Sequence, residues 1–265
     1  MSSMASWLRP PKRGVVAAVA WLAWHALAAD PAPGAPKAEP PVIRIVQPLG
    51  VEPGDTVRLT LRGHRLDGVS EVGVQGWKDA RGEVVARGDA TPINGLDAAR
   101  VGDRRLEARL SVPADAAPGT NAALVVKGTN GVSTTFPIMV VRRGLLTGEK
   151  EPNDGFRDAP GAPVPVVLRG GFPTKGDVDV FRVTLPAGRR LRAEVMAERL
   201  GTTLDATLAI YDARRAVVAS VDDTAGRDPW LEFEARDGGE YYVVVGYAND
   251  QAAPSHEYLL FLSTP

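Results

Sequence analysis

The strongest constraint on the fold is a series of short runs in which apolar and polar residues alternate. In Thr56–Arg62, for example, Val57, Leu59 and Leu61 occupy every second position and polar residues lie between them. A period of two residues is typical of a half-buried antiparallel strand. Comparable runs continue to the end of the chain, are separated by Pro-Gly and Asn-Gly turn signals, and show no helical period. The sequence therefore predicts an all-β protein.

The spacing of these runs divides the chain into two consecutive antiparallel β-sandwiches. The predicted strands are 42–46, 56–62, 70–75, 83–87, 106–112, 121–127 and 132–141 in the first half, and 164–168, 180–185, 191–197, 206–211, 216–221, 231–235, 241–247 and 258–262 in the second. We expect an immunoglobulin-like sandwich over 42–143, a linker over 144–148 and a jelly-roll-like sandwich over 149–265. The Pro/Ala-rich residues 30–41 are expected to form an extended linker ahead of them.

The first 29 residues have the pattern of a secretory signal peptide. Three basic residues come first: Arg9, Lys12 and Arg13. An apolar run from Val15 to Leu22 follows, and small residues near Ala28 or Ala29 offer a cleavage site. The alternative is a membrane anchor, but the apolar segment is shorter than the roughly 20 residues that a spanning helix needs, and His25 interrupts it. We therefore predict export to the periplasm, the cell surface or the extracellular space.

Composition excludes several classes of function. The chain has no cysteine, which rules out disulfides, thiolate nucleophiles and thiolate metal sites. Removal of the three basic residues of the signal peptide from 31 basic and 32 acidic residues leaves a net charge of about −4. A negative protein of this kind is not expected to bind nucleic acid.

The sequence offers little material for catalysis. Beyond the signal peptide the only histidines are His64 and His256, and neither lies in a Gly-x-Ser-x-Gly or His-Glu-x-x-His pattern. We interpret both as surface histidines and predict no catalytic residue. Trp77 and Trp230 are interpreted as core anchors, with a sugar-stacking platform as the alternative.

Two acidic clusters frame the start of the second half. Glu149, Glu151, Asn153 and Asp154 place four oxygen-bearing side chains within six residues, and a second pair, Asp177 and Asp179, follows. Calcium prefers six to eight oxygen ligands of these types. The clusters are therefore a candidate calcium site for one or two ions. The alternative is a solvated turn in which Asn153 and Asp154 bond to the backbone.

A succession of motifs runs through the second half: Glu151-Pro152-Asn153-Asp154, Gly176-Asp177-Val178-Asp179-Val180-Phe181, Gly201-Thr202-Thr203-Leu204-Asp205, Asp222-Asp223 and Gly239-Glu240-Tyr241. In these motifs and in their order the second half resembles the bacterial pre-peptidase C-terminal domain. The resemblance covers about residues 148–264. It implies a non-catalytic β-sandwich attached to a secreted protein, often a peptidase, and similar to clostridial collagen-binding modules. It also implies calcium ligands at Glu149, Glu151, Asn153, Asp154, Asp177 and Asp179.

A collagen-binding surface is not expected to transfer with this resemblance. The relatives carry an aromatic stripe on the outward face of the strand that matches 241–247. Here Tyr242 is the aromatic residue on that face, and Gly246 and Ala248 occupy positions where the stripe should continue.

The first half contains four turn-and-strand motifs: Gly54-Asp55-Thr56-Val57, Gly63-His64-Arg65-Leu66, Pro118-Gly119 and Gly131-Val132-Ser133. In these features it resembles the IPT/TIG group of immunoglobulin-like domains. This resemblance implies a fold and assigns no function.

Together these features predict a secreted, non-catalytic binding, adhesion or targeting protein that calcium stabilises. Its expected partner is an extracellular protein or polysaccharide, with an exported peptidase or the cell surface as the expected setting. Two alternatives remain open: a polysaccharide-binding module, and a small exported hydrolase or a peptidase accessory or inhibitor.

Overall fold

The computed structural model describes residues 38–77, 81–93, 95–248 and 252–265. The predicted signal peptide, 1–29, and most of the predicted linker, 30–41, lie outside the described residues. Within the described ranges, no helix is both long enough and apolar enough to cross a membrane.

The described residues of the first half form nine strands and one short helix. In chain order they are β1 (Val42–Gln47), β2 (Gly50–Val51), β3 (Thr56–His64), β4 (Val69–Val74), β5 (Arg81–Asp89), α1 (Ala98–Val101), β6 (Arg104–Ser111), β7 (Asn121–Gly128), β8 (Gly131–Val132) and β9 (Phe136–Val140). Their pairing order is β1-β3-β6-β5-β4-β7-β9-β2, with β8 paired to β7. Strand β5 pairs with both β6 and β4, so it joins the two layers of this sandwich.

Alternation along these strands builds the first core, as the sequence predicts. In β3 the side chains of Leu59 and Leu61 are fully buried, and in β7 Leu124 and Val126 are buried in the same way. They belong to one apolar cluster that is drawn from both layers. Burial of each such side chain contributes about 1.5–3 kcal/mol.

The predicted strand 132–141 is interrupted in the structure. Residues 131–132 form β8, and β9 begins only at Phe136. Buried Ser133 lies between them, where its N–H donates to Val126 O at 2.9 Å and its Oγ accepts from Val126 N at 3.0 Å. The hydroxyl thus takes a place that a strand partner would otherwise fill.

The second half contains nine further strands. They are β10 (Leu146–Gly148), β11 (Val166–Gly171), β12 (Asp179–Leu185), β13 (Arg190–Met196), β14 (Ala206–Asp212), β15 (Val217–Val221), β16 (Trp230–Glu234), β17 (Gly239–Tyr247) and β18 (Glu257–Ser263). One sheet has the order β10-β11-β18-β13-β16 and the other the order β12-β17-β14-β15. Residues from both sheets form a single apolar core, which makes this half a second β-sandwich.

The segment predicted as a linker, 144–148, contains a strand. Leu146–Gly148 forms β10, which pairs in parallel with β11. The local sequence gave no sign of this pairing, because a run of three residues is too short to show a period. The chain therefore joins the second sandwich before it reaches the acidic residues.

A third apolar cluster lies between the two sandwiches. The first sandwich contributes Leu49, Met139 and Val141, and the second contributes Val167, Met196, Leu200 and Leu259. Two long-range bonds accompany it: Leu49 N donates to the Glu257 carboxylate at 2.8 Å, and Gln47 Nε2 donates to Pro254 O at 2.8 Å. Burial of this carboxylate raises the pKa of Glu257.

Candidate metal centre

Glu149 is held against the edge of the first sheet of the second sandwich. It directly follows β10, and its backbone N–H donates to Arg169 O at 2.9 Å, which continues the parallel pairing with β11. Its carboxylate Oε1 accepts from Gly171 N at 3.0 Å. The side chain is thereby directed toward the interior of the sandwich.

Asp179 approaches the same place from the opposite sheet. It is the first residue of β12 and is fully buried. Its Oδ2 accepts a hydrogen bond of 2.5 Å from the hydroxyl of Tyr258, a fully buried residue of β18. Phe172 stacks on the Tyr258 ring with centroids 5.5 Å apart, so the position of the donor is fixed by packing.

Carboxylates from both predicted clusters meet at this point. One carboxylate oxygen from each of Glu149, Glu151 and Asp179 lies within 4.8 Å of the others. Asn153 is buried beside them, with Nδ2 at 3.5 Å from Glu149 Oε2. The backbone carbonyl of Asn153 accepts from Val180 N at 3.0 Å, which ties this loop to the start of β12.

The remaining two predicted residues join the same network. Asp177 lies near Glu151 and Asp154, and their negative charges act on its carboxyl group. The loop that carries Asp177 is anchored by Gly176 N, which donates to the Tyr247 hydroxyl at 2.9 Å. We call Glu149, Glu151, Asn153, Asp154, Asp177 and Asp179 the entry cluster. The structure thus places Glu149, Glu151 and Asp179 in one group, with Asn153 beside Glu149 and with Asp177 and Asp154 near Glu151.

The electrostatics of the entry cluster are unfavourable when no cation is present. Burial, followed by the charge of Glu149, raises the pKa of Asp179 to about 9. Burial and the charge of Glu151 raise the pKa of Glu149 to about 7 and that of Asp177 to about 6. Groups that are desolvated and close to like charges resist ionisation in this way.

Two oxygen atoms of the cluster lack a donor. Asn153 Oδ1 and Asp179 Oδ1 are buried, and neither accepts a hydrogen bond from an N–H or hydroxyl group of the described residues. Buried polar atoms are normally paired, and an unpaired one costs about 1–3 kcal/mol. Unpaired oxygens next to crowded carboxylates are the donor set that a hard cation takes.

Three residues that support the cluster were not predicted as part of it. Gly170 leaves the space that the cluster uses, because a Cβ atom there would lie 2.4 Å from the Tyr258 hydroxyl and 2.5 Å from Glu149 Oε2. Tyr258 and Tyr247 supply the two hydroxyl groups described above. Their local patterns are those of strand residues, so only their cross-sandwich contacts reveal the role.

The two histidines lie in different surroundings. His64 is bonded through Nδ1 to Asp103 at 3.0 Å and through Nε2 to Ala99 O at 3.2 Å. The prediction that His256 is a surface residue is wrong, since it is only 5% exposed and its Nε2 lies 3.1 Å from Thr203 Oγ1. The loop that contains His256 packs at the end of β11, where the N–H of Phe172 donates to His256 O at 2.9 Å.

The tryptophans also differ from one another. Trp77 packs against the core of the first sandwich, as expected of a core anchor. Trp230 is half-buried, and the Arg192 guanidinium lies 4.4 Å from its ring centroid. One face of this indole is therefore covered by a cation.

The outward face of the second sheet carries more aromatic area than the sequence suggested. As expected, Tyr241 is buried in the core and Tyr242 points away from it. Tyr242 is not isolated, however, because Phe156 packs edge-on against both Tyr242 and Tyr211 with centroid distances of 5.1 and 5.2 Å. These residues are far apart in sequence, so no strand pattern could group them.

The second half is thus an all-β sandwich with an acidic cluster where the chain enters it. Residues 177–246 match the sequence model of the bacterial pre-peptidase C-terminal domain, which confirms the resemblance indicated by the motifs. The match begins at Asp177, so it includes Asp177 and Asp179 and leaves the Glu149–Asp154 part of the entry cluster outside. No curated protein sequence matches the chain significantly.

Solved structures with remote similarity come from several different proteins. The pre-peptidase C-terminal domain of Bacillus anthracis collagenase is 16% identical, with a TM-score of 0.33, and the match covers 44% of this chain and 100% of that one. The periplasmic inhibitor of g-type lysozyme from Aeromonas hydrophila is 16% identical, with a TM-score of 0.31 and coverage of 40% and 98%. A Bacteroides ovatus protein of a mixed-linkage glucan utilization locus, solved with a heptasaccharide, is 12% identical, with a TM-score of 0.26 and coverage of 85% and 75%. These likenesses are too remote to assign a function.

Proposed function

We propose that the chain is an exported, non-catalytic binding module whose C-terminal sandwich is stabilised by calcium at the entry cluster. One observation carries the proposal: carboxylates of Glu149, Glu151 and Asp179, which come from two separate segments, meet beside Asn153, and buried oxygens of Asn153 and Asp179 have no donor. Without a cation, burial of these charged and unpaired groups destabilises the folded state. A bound cation would offset that unfavourable free energy.

Calcium is the cation that the donor set favours. The cluster offers carboxylates from Glu149, Glu151, Asp154, Asp177 and Asp179 and the amide oxygen of Asn153. Hard oxygen donors in this number suit calcium, whereas zinc prefers nitrogen and sulfur ligands. Five carboxylates exceed the charge of one calcium ion, which is compatible with one or two ions.

The position of the cluster suggests what bound calcium would do. Glu149 follows β10 in one sheet, and Asp179 begins β12 in the other. An ion held by both residues would link the two sheets at the point where the chain enters the sandwich. It would also hold β10 in place, and β10 follows directly from the boundary with the first sandwich.

A non-catalytic role is supported by the family match. The matched family is the bacterial pre-peptidase C-terminal domain, and we infer from that description an accessory position beside a peptidase. We propose that the partner is an extracellular protein or polysaccharide, and that an exported peptidase or the cell surface is the setting in which it is met.

Thermal unfolding with and without calcium tests the metal part of this proposal. A ligand at 100 times its Kd stabilises the folded state by about 2.7 kcal/mol. For a chain of this size that corresponds to a rise in Tm of roughly 5–10 °C. The double variant Asp177→Ala/Asp179→Ala should lose the rise, whereas Glu240→Gln, which changes an exposed carboxylate on the same sheet, should keep it. Calorimetry that detects no calcium binding to the unmodified chain would refute this site.

The non-catalytic part is tested separately with panels of peptide and glycan substrates. We expect binding to a subset and no turnover. Turnover that a single substitution abolishes would show that the chain is an enzyme, whatever the outcome for calcium.

A further inference from the structure

The outer edge of the second sheet is formed by a strand with an unusual surface. Strand β15 is the last in the order β12-β17-β14-β15, and none of the described residues pairs with its outer edge. An edge strand presents free N–H and C=O groups, which natural proteins commonly protect with charged residues or proline. Residues 216–221 read Ala-Val-Val-Ala-Ser-Val and contain neither.

Exposed apolar side chains are concentrated on this strand. Val217 is 54% exposed and Val218 is 41% exposed, and these two are half of the four large apolar residues that are exposed in the described part of the chain. Ala219 and Val221 of the same strand pack against the core, so the strand is firmly attached to its own sandwich. The exposed valines are therefore available to a partner without any unfolding.

The two ends of β15 carry opposite charges. Arg214 and Arg215 lie in the hairpin turn that precedes the strand, and Asp222 and Asp223 follow it. All four are exposed. At the acidic end Asp205 adds a third carboxylate, with one oxygen from each of Asp205, Asp222 and Asp223 within 4.8 Å of the others. The acidic end of the strand therefore attracts positive charge.

We propose that β15 pairs with β15 of a second copy of this chain in antiparallel orientation. If Val218 lies opposite Val218 of the other copy, Arg214 of each copy lies opposite Asp222 of the other. If Ala219 lies opposite Ala219, Arg215 lies opposite Asp223. Either register covers the exposed valines and joins the two four-stranded sheets into one continuous sheet. Such an interface is isologous and closed, so it yields a dimer and not a fibre.

The charge pattern is what selects this partner over others. An unrelated extended peptide could pair with the backbone N–H and C=O groups of the edge. To match the charges it would need acidic residues opposite the arginines that precede β15 and basic residues opposite the aspartates that follow it. A second copy supplies this arrangement by symmetry. Opposite charges at the rim of an interface mainly guide partner choice and orientation, while the apolar centre and the backbone bonds supply affinity.

Sedimentation velocity of the full-length chain over about 1 µM to about 1 mM tests the dimer, because an interface of one strand pair is small and is expected to be weak. Val217→Lys should weaken association at least about tenfold, which corresponds to about 1.4 kcal/mol. Val132→Lys is the matched control, since Val132 is 52% exposed but lies in the first sandwich, and it should change nothing. Association that both variants retain would come from another segment and would overturn the proposal, as would a chain that stays monomeric throughout.

A charge exchange provides the second test. Arg214→Glu/Arg215→Asp and Asp222→Lys/Asp223→Lys should each associate more weakly than the unmodified chain, and an equimolar mixture of the two should recover association. Recovery in the mixture supports antiparallel pairing of β15, and salt should weaken it. Failure of the mixture to associate better than either variant alone would refute the pairing, independently of any result with calcium.

Discussion

Asp179 is the most deeply buried acid of the entry cluster, and it makes the stability of the calcium-free protein depend on pH. Its pKa in the folded protein is about 9, against 3.8 for an ordinary aspartate, and the pKa values of Glu149 and Asp177 are raised to about 7 and about 6. A carboxyl group whose pKa is raised on folding binds its proton more tightly in the folded state. The contribution of this group to the free energy of unfolding is complete below its pKa in the unfolded chain. That contribution is lost as the pH rises toward its pKa in the folded protein.

In the presence of a chelator we therefore expect the Tm to fall as the pH rises from about 4 to about 9, the span of these pKa values. Asp179→Asn should flatten this dependence, because the amide cannot ionise. Glu240→Gln should leave it unchanged. Calcium should reverse the trend at neutral and higher pH, since carboxylates bind metal once they have lost their protons. Thermal melts across this pH range measure the effect. A Tm that rises with pH in the presence of chelator would contradict the raised pKa values of these carboxyl groups.

The residues of the entry cluster also show how far local sequence can go. The six candidate ligands were predicted from the motifs, because acidic residues and an asparagine at a turn are conspicuous against strand sequence. The need for Gly170 and Tyr258 could not be identified, because each matters only through atoms of residues distant in the chain. Calcium binding itself stays a prediction.

At the scale of elements, the 3₁₀ turn Glu198–Leu200 of the second sandwich packs against the first sandwich. The fully buried Asp228 holds it by accepting from Ala197 N at 3.0 Å, Glu198 N at 2.8 Å and Arg199 Nε at 2.8 Å. Gly201 ends the turn with a φ of 85°, and a Cβ there would lie 2.5 Å from the Phe136 ring of β9. One aspartate thus fixes a turn that the first sandwich packs against.

Asp228→Ala should destabilise the protein by about 3 kcal/mol, since it leaves buried N–H groups unpaired and removes one partner of a buried ion pair. Arg199 would retain only Glu194 as an acidic partner. Urea unfolding measures the change. The control is Glu240→Ala, which removes an exposed ion pair with Arg182 and should cost less than about 1 kcal/mol. Equal effects of the two substitutions would show that Asp228 does not organise the turn.

At the scale of the whole molecule, the two sandwiches share an apolar interface. Leu49 lies at its centre with 1% exposure, and its backbone N–H is bonded to Glu257 of the other sandwich. Interfaces between domains that are large and apolar couple the stability of their two sides.

The unmodified chain should therefore unfold in one calorimetric transition. Leu49→Asp places a charge in this interface and should split the transition in two, because the sandwiches then unfold independently. Val132→Asp puts the same charge at an exposed valine and should leave one transition. Two transitions in the unmodified chain would show that the interface does not couple the sandwiches.

The sequence by itself determined the all-β class and the positions of most strands, and it predicted the six residues of the entry cluster as ligands. These features are local: a period of two residues and a cluster of acids can be recognised without knowing what lies opposite. The family match over 177–246 agrees with the motifs that the sequence displays.

Only the tertiary structure decided the features that depend on distant residues. It paired β10 with β11, buried His256, grouped Phe156 with Tyr211 and Tyr242, and left the edge of β15 open. The physical reason is the same in each case. A three-residue strand, a buried loop or a sheet edge is set by what packs against it, and that partner lies tens of residues or more away in the chain.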